Sequence, residues 1–331
     1  NKMQFFRQAL LVLIIGVAWI AAGCGSSDRS GSAELQGELV RIDLGKSDPD
    51  RLLKFYFGSY VSEASADPFE FGLLIKQDDA YYLDKKYLDE DMLLQLGDLD
   101  QDGVLVWDEL EPFLQKTYYE VRPFAPTLSA LKEEIQYERA EEGWKMIEVD
   151  GVMTAARRLI YVNQRAVQSA LMEYEENSGA LIYPAGTVFV GEHLEGGAIV
   201  ETTVMKKRGD NFWDFYVYDK AGNLAPATST KPRSLTVPTR CVGCHFGEKK
   251  FEPENSYPFP ATSGPSGPRG IFVDASESDT TLVNLLDEHN RRSDTVLGVY
   301  ATIYLGQLKR EVEAGNAISE QDQRILELFG F

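Results

Sequence analysis

Phe212-Trp213-Asp214-Phe215-Tyr216-Val217-Tyr218 lies between Gly209-Asp210-Asn211 and Asp219-Lys220-Ala221-Gly222-Asn223, and reads as one strand between two tight turns. Aromatic and β-branched side chains suit a pleated, half-buried surface, while Gly, Asn and Asp supply the backbone geometries of hairpin turns. Working outward, Arg157 to Val162, Gly186 to Glu192 and Ile199 to Met205 are short runs of the same kind, bounded by Gly, Asn, Asp or Pro. Asn163 to Glu176, between the first two, reads as a helix. The pattern predicts an α+β chain, with a mainly antiparallel β-sheet domain over 151–262 and helical segments on either side.

The last strand leads through a Pro/Thr-rich stretch, Ala225 to Thr239, into Arg240-Cys241-Val242-Gly243-Cys244-His245. Cys-x-x-Cys-His is the spacing of c-type haem attachment. Two thiols three residues apart each form a thioether to one vinyl group of a porphyrin, and the adjacent histidine lies under the iron. Half a zinc site and a thioredoxin-like redox pair are the other readings. Zinc needs a second Cys or His pair, whereas the other two of the three histidines, His193 and His289, stand far apart. A thioredoxin-like pair opens a helix in a βαβ unit and has no need of His245. The motif is therefore read as a haem c site, with Cys241 and Cys244 attaching the macrocycle and His245 as proximal iron ligand.

Of the three cysteines, the remaining one is Cys24. Residues 1–24 read as a lipoprotein signal peptide: Arg7, an apolar run from Ala9 to Ala22, then Ala21-Ala22-Gly23-Cys24. Lipidation at Cys24 is expected after cleavage, with 25–36 as a flexible polar tether. Gly25, in place of an aspartate, favours the outer membrane, with the chain facing the periplasm. A net charge of -19 argues against nucleic acid and against broad adhesion to anionic lipid. The expected membrane contact is the lipid anchor alone.

Residues 37–150 are rich in helical patterns and in acid. Within them, 98–109 matches the EF-hand calcium loop. Asp98, Asp100 and Asp102 stand at the first, third and fifth places and Gly103 at the sixth. Val104 offers its backbone carbonyl, Leu105 is the apolar eighth residue, and Glu109 is the bidentate twelfth. Helical flanks are expected over Tyr87 to Leu96 and Asp108 to Tyr119. No second loop is visible, so the site reads as a stabilising Ca2+ clip and not a switch.

The strand region and haem motif together resemble the cytochrome P460 family, which includes the β-sheet cytochromes c′. The resemblance covers about 150–260. It is carried by Arg158-Leu159-Ile160-Tyr161-Val162-Asn163, Tyr183-Pro184-Ala185-Gly186-Thr187-Val188-Phe189-Val190, Val204-Met205-Lys206-Lys207-Arg208, Trp213-Asp214-Phe215-Tyr216, Cys241 to His245, and Ser256-Tyr257-Pro258-Phe259. It implies a pentacoordinate haem on an antiparallel sheet, with Arg158 and Glu201 as distal groups providing charge stabilisation and proton transfer. One departure matters. The family's hydroxylamine oxidase bonds a lysine to the porphyrin, and Gly191 stands at that position.

Over 263–331 a Gly/Pro linker precedes helices expected at Thr281 to Arg292, Thr295 to Val312 and up to Leu328, the last capped by Ser319. The second carries an apolar stripe expected to pack on the sheet domain. Three functions are compatible with these features. The first is a monohaem cytochrome c for electron transfer or for binding a small ligand such as NO or hydroxylamine. The second is an oxidoreductase acting on hydroxylamine or NO. The third is a calcium-stabilised surface module that docks redox partner proteins.

Overall fold

The structure is a computed structural model. It describes residues 39–45, 49–60, 67–97, 102–137, 143–151, 156–230, 234–245, 271–272 and 295–331, with the backbone course alone for 147–151, 243–245, 271–272 and 295–299. Cys24, Asp98, Asp100 and the helix expected at Thr281 to Arg292 lie outside the described residues.

In chain order the elements are β1 (Leu39–Asp43), α1 (Pro49–Phe57), α2 (Pro68–Phe71), β2 (Leu74–Gln77), β3 (Ala80–Asp84), α3 (Glu90–Gly97), β4 (Val104–Val106), α4 (Trp107–Thr117) and α5 (Leu128–Glu134). There follow β5 (Trp144–Gly151), β6 (Arg157–Asn163), α6 (Gln164–Met172), β7 (Val188–Glu195), β8 (Ala198–Lys207), β9 (Trp213–Tyr218), β10 (Leu224–Ala225), α7 (Thr239–His245), β11 (Ile271–Phe272), α8 (Thr295–Glu313) and α9 (Glu320–Leu328). The chain is α+β. One sheet has the order β2-β3-β1-β4, with β1 and β4 parallel; the other runs β10-β9-β8-β7-β6-β5-β11 and is antiparallel throughout.

Alternation along the strands of the larger sheet gives it two buried faces. Ile160, Val162, Phe189, Met205, Phe215 and Val217 belong to one core, shared with Leu52 and Phe55 of α1, Phe113 of α4 and Tyr300 of α8. Val188, Val190, Val204, Tyr216 and Tyr218 form a second, smaller core under Leu131 and Tyr137. Every side chain of β9 is buried, because both faces are covered along its length. The boundary drawn at 150 falls at the end of β5, which pairs with β6 from Trp144↔Asn163 to Val149↔Arg158. Residues 39–331 form one compact unit.

The helix-rich reading of 37–150 is corrected in one respect: the region also contains the four-stranded sheet. The C-terminal stripe packs inward as expected. Tyr300, Ile303, Tyr304 and Leu308 are buried, and the Tyr300 ring lies 5.0 Å from that of Phe189. Gly315, at φ +76°, ends α8, and Ser319 caps α9 by accepting the Asp322 N–H at 3.1 Å. The buried Asp322 carboxylate then accepts from Tyr304 Oη (2.5 Å), Gln168 Nε2 (2.8 Å) and Gln164 Nε2 (3.2 Å), which fastens the terminal hairpin to α6. Among the described residues no helix is long and apolar enough to cross a membrane.

Candidate functional site

The hairpin of β7 and β8 sets the geometry. Glu195 pairs with Ala198 across Gly196-Gly197, and Leu194 pairs with Ile199, but the next pair is His193 with Glu201. Val200 is thus an extra residue, and the register shifts by one between Leu194 and His193. A bulge of this kind sets two residues of one strand against one of its partner, and so changes which residues oppose one another beyond it. Without it His193 would oppose Val200. With it, Arg158 of β6, His193 of β7 and Glu201 of β8 form one transverse row, since Arg158 pairs with His193 in turn. Strict period-two alternation would put Ile199 on the face of Glu201, Thr203 and Met205, but the shift confines that face to Glu201 and the residues after it. Ile199 lies before the bulge and is exposed.

Glu201 is buried and densely partnered. Its Oε2 accepts from the Ser229 backbone N–H, Ser229 Oγ (2.8 Å) and the Thr230 N–H (3.3 Å), and Oε1 accepts from Thr230 Oγ1 (2.7 Å). Burial pushes its pKa up, but the adjacent His193 ring and donation from Ser229 and Thr230 outweigh that and hold the carboxyl at about 2. His193 Nδ1 stands 3.1 Å from Glu201 Oε1, a close polar contact with the N–H off the line between them. His193 Nε2 is 3.1 Å from Thr203 Oγ1. Burial lowers the imidazole pKa, Glu201 opposes this, and the Arg158 charge lowers it further, so the ring is neutral at neutral pH. Arg158 Nε is shielded from solvent without a hydrogen-bond partner among the described residues.

Gly191 belongs to the same face, one pleat from His193. A Cβ there would meet Thr203 Oγ1 at 2.8 Å and Ile160 Cδ1 at 3.0 Å. Glycine at 191 therefore makes room for the hydroxyl that touches His193. The neighbouring lysines are engaged elsewhere: Lys206 Nζ with Glu134 (2.8 Å), and Lys207 Nζ with the Asn211 carbonyl (2.6 Å).

The Cys-x-x-Cys-His segment is the short helix α7. Gln115 Nε2 of α4 donates to Thr239 Oγ1 at its start (2.9 Å). Val242 is buried and Cys241 half-buried against the core of the face that carries Arg158, His193 and Glu201. Burial, above all, and the nearby Cys241 raise the Tyr119 hydroxyl's pKa, against a pull from the Val217 N–H. On a helix, positions 241, 244 and 245 share one face, the arrangement that two thioethers and one axial ligand to a single macrocycle require. The side chains of Cys244 and His245 are outside the description.

At the acidic loop, Gly103 has φ +83°, the left-handed geometry the sixth EF-hand position demands. Asp102 Oδ1 accepts the Val104 N–H (3.0 Å), and Glu109 Oε2 accepts the Val106 N–H (3.1 Å). Leu105 is fully buried and pairs with Ile42, so β1 occupies the strand edge that a second loop fills in paired EF-hands. Among the described residues no three acidic, His or Cys side chains converge as a metal site; the first and third loop positions are not among them.

An open groove of about 470 Å³, lined by Trp144, Val188 and Lys206 among others, lies on the opposite sheet face, away from the Arg158–His193–Glu201 row. The structure thus brings Arg158 and Glu201 together on the sheet face that belongs to the larger core, in which Val242 of α7 also lies, and places Val104–Val106 of the acidic loop in the other sheet. His193, read from sequence as isolated, joins the two. No family model, curated protein or solved structure matches this chain.

Proposed function

We propose that this chain is a periplasm-facing lipoprotein with a single c-type haem, its larger sheet forming a haem domain of the cytochrome P460 type. The observation that carries the reading is the Cys241–His245 motif, formed as a helix in the core that the larger sheet shares, on a sheet that bears the half-buried Arg158 beside buried His193 and Glu201. Cys241 and Cys244 would hold the macrocycle and His245 the iron. A bound haem supplies an Fe(III)/Fe(II) couple and a coordination position for small ligands such as NO or hydroxylamine. The chain supplies a mostly apolar wall, a fixed carboxylate and a guanidinium close to neutral His193. Gly191 argues against the lysine cross-link route to hydroxylamine oxidation, so electron transfer or small-ligand binding is the favoured activity. Cys24 is the proposed lipid anchor, at the outer membrane.

The test is the absorption spectrum and pyridine haemochrome of protein matured with haem-attachment machinery. One covalent c-type haem per chain is expected, lost when Cys241 and Cys244 are both replaced by alanine. Absence of covalent haem from the wild type would sink the reading.

Ca2+ is proposed at Asp98, Asp100, Asp102, the Val104 carbonyl and Glu109, a reading supported by the positive φ of Gly103 at the sixth place of the loop. Single extracellular sites of this kind bind at about 10⁻⁴–10⁻³ M. At a hundred-fold excess over Kd the native state gains about 2.7 kcal/mol, a rise on the order of 5 °C in Tm. That rise should vanish with a chelator and in Glu109→Gln. A Tm indifferent to calcium in the wild type would remove the site.

A further inference from the structure

Glu201, His193 and Thr203 form a contiguous chain: carboxylate to Nδ1 at 3.1 Å, Nε2 to hydroxyl at 3.1 Å. Its members differ in exposure. Glu201 and His193 are buried at 1 % and 4 %, whereas Thr203 is only partly covered and so is the end that can meet a ligand. Three features separate this chain from an ordinary satisfied polar core. The register shift at Val200 interrupts the strand ladder, and that shift alone brings His193 opposite Glu201. Gly191 clears the space in which the Thr203 hydroxyl sits. Arg158 Nε, in the same row, is buried with its hydrogen-bonding capacity unspent among the described residues.

The Thr203 hydroxyl stands between two acceptors, the Gly191 carbonyl at 3.4 Å and His193 Nε2 at 3.1 Å; in the tautomer with the proton on Nδ1, on the Glu201 side, the Nε2 lone pair is the nearer of the two. We propose that His193, oriented by Glu201, is a general base that removes a proton from a small protic ligand through the Thr203 hydroxyl, an inference that rests on the haem reading above. The ligand class is a weak acid H–X that binds as its anion. The H–X bond breaks and its proton goes to Thr203 Oγ1, while the hydroxyl's own proton passes to His193 Nε2. The products are X⁻ and an imidazolium, and no electron changes hands. Glu201 offsets the imidazolium charge, and the Arg158 guanidinium at the end of the row favours X⁻. The charged groups facing His193 are Glu201 from β8, Arg158 from β6 and Glu195 from its own strand. Glu201 acts through His193 and is a positioning residue.

The experiment uses the haem-loaded full chain with two probes, hydrogen cyanide, which must lose a proton to bind as cyanide, and nitric oxide, which has none to lose. Association rates are followed by stopped-flow absorption across the pH range. Positioned base catalysis contributes about 10²–10⁴-fold. The ratio of cyanide to nitric oxide association rates at neutral pH should therefore fall about 100-fold in His193→Gln. In Thr203→Val, which keeps the imidazole but cuts the chain, it should fall comparably. Glu201→Gln should give a smaller fall and a displaced pH profile. An unchanged ratio in His193→Gln overturns the relay. So does a low-spin ferric wild type that turns high-spin in His193→Gln, since His193 would then be an iron ligand. The haem reading is scored separately by the pyridine haemochrome: no covalent haem removes that reading and the relay with it.

Discussion

Glu201→Ala should destabilise the protein by about 4 kcal/mol at neutral pH, measured as a fall in the urea midpoint at constant m-value. The carboxylate is the common acceptor for the Ser229 N–H and hydroxyl, the Thr230 N–H and hydroxyl, and the His193 contact. Removing it leaves the donors of buried Thr230 and the His193 ring without their acceptor, at about 1–3 kcal/mol for each such group, while the donors of exposed Ser229 can turn to water. Glu201→Gln keeps the shape and one carbonyl oxygen, so its loss should be about half as large. Acidification supplies an independent readout. Because the folded-state pKa is about 2, below the ordinary 4.5, the carboxylate contributes about 3 kcal/mol that is fully present above pH 4.5. That contribution drains away as pH falls from about 4.5 towards 2. His193 acts in a higher window. Its folded pKa lies below 6.5, so the unfolded chain takes up the proton first and stability begins to fall as pH drops under about 6.5. Glu201→Gln should flatten the lower window relative to wild type. A loss under 1 kcal/mol in Glu201→Ala would mean that the Ser229–Thr230 loop is held by something else.

How far these features can be read from sequence depends on how local their causes are. β6, β8 and β9 fall within two residues of their expected bounds, because each is a dense β-branched or aromatic run with turn residues at its ends. Gly103 takes the positive φ expected of it, and Glu109 accepts the Val106 N–H as a helix cap, because both features are set within a few consecutive residues. The four-stranded sheet was missed for the opposite reason. Its strands are three to five residues long, and β4 lies inside the acidic segment 98–109 itself. The β1–β4 pairing joins Arg41 to Val104, a partner no local pattern announces. The polar row was only half legible. Alternation puts Glu201 and Thr203 on one face, and that part holds. His193 depends on one inserted residue in β8, and a hairpin register counted straight out from Gly196-Gly197 places it against Val200 instead. The bulge, not the composition of either strand, makes the constellation.

Arg122→Ala is expected to cost about 3–5 kcal/mol, because it removes one partner of a buried ion pair and leaves the rest of the cluster in place. The Arg122 side chain is 1 % exposed. Its Nε donates to Asp214 Oδ1 (2.9 Å) and its Nη2 to the carbonyls of Phe55 (3.0 Å) and Tyr56 (3.3 Å), while the guanidinium lies 4.2 Å from the centre of the Tyr118 ring. Those carbonyls belong to the last turn of α1, where no intrahelical donor remains, and a cation there also suits the helix dipole. Arg208 supports the same turn through Phe55 O (2.9 Å). Gly58 permits this approach, since a Cβ at that position would stand 2.4 Å from Arg208 Nη2. Asp214 is in β9, so one guanidinium ties α1, which packs with the small sheet, to the large sheet. Arg122→Lys keeps the charge but loses the planar fork that reaches Asp214 and both carbonyls together, and should recover less than half of the loss. The same measurement tests whether 39–331 unfolds as the single unit its shared core implies. One urea transition by tryptophan fluorescence and by far-UV circular dichroism is expected for wild type and for Arg122→Lys. If instead the wild type showed two separated transitions, and Arg122→Ala left the later one unmoved, the two sheets would unfold independently and the Arg122 cluster would not couple them.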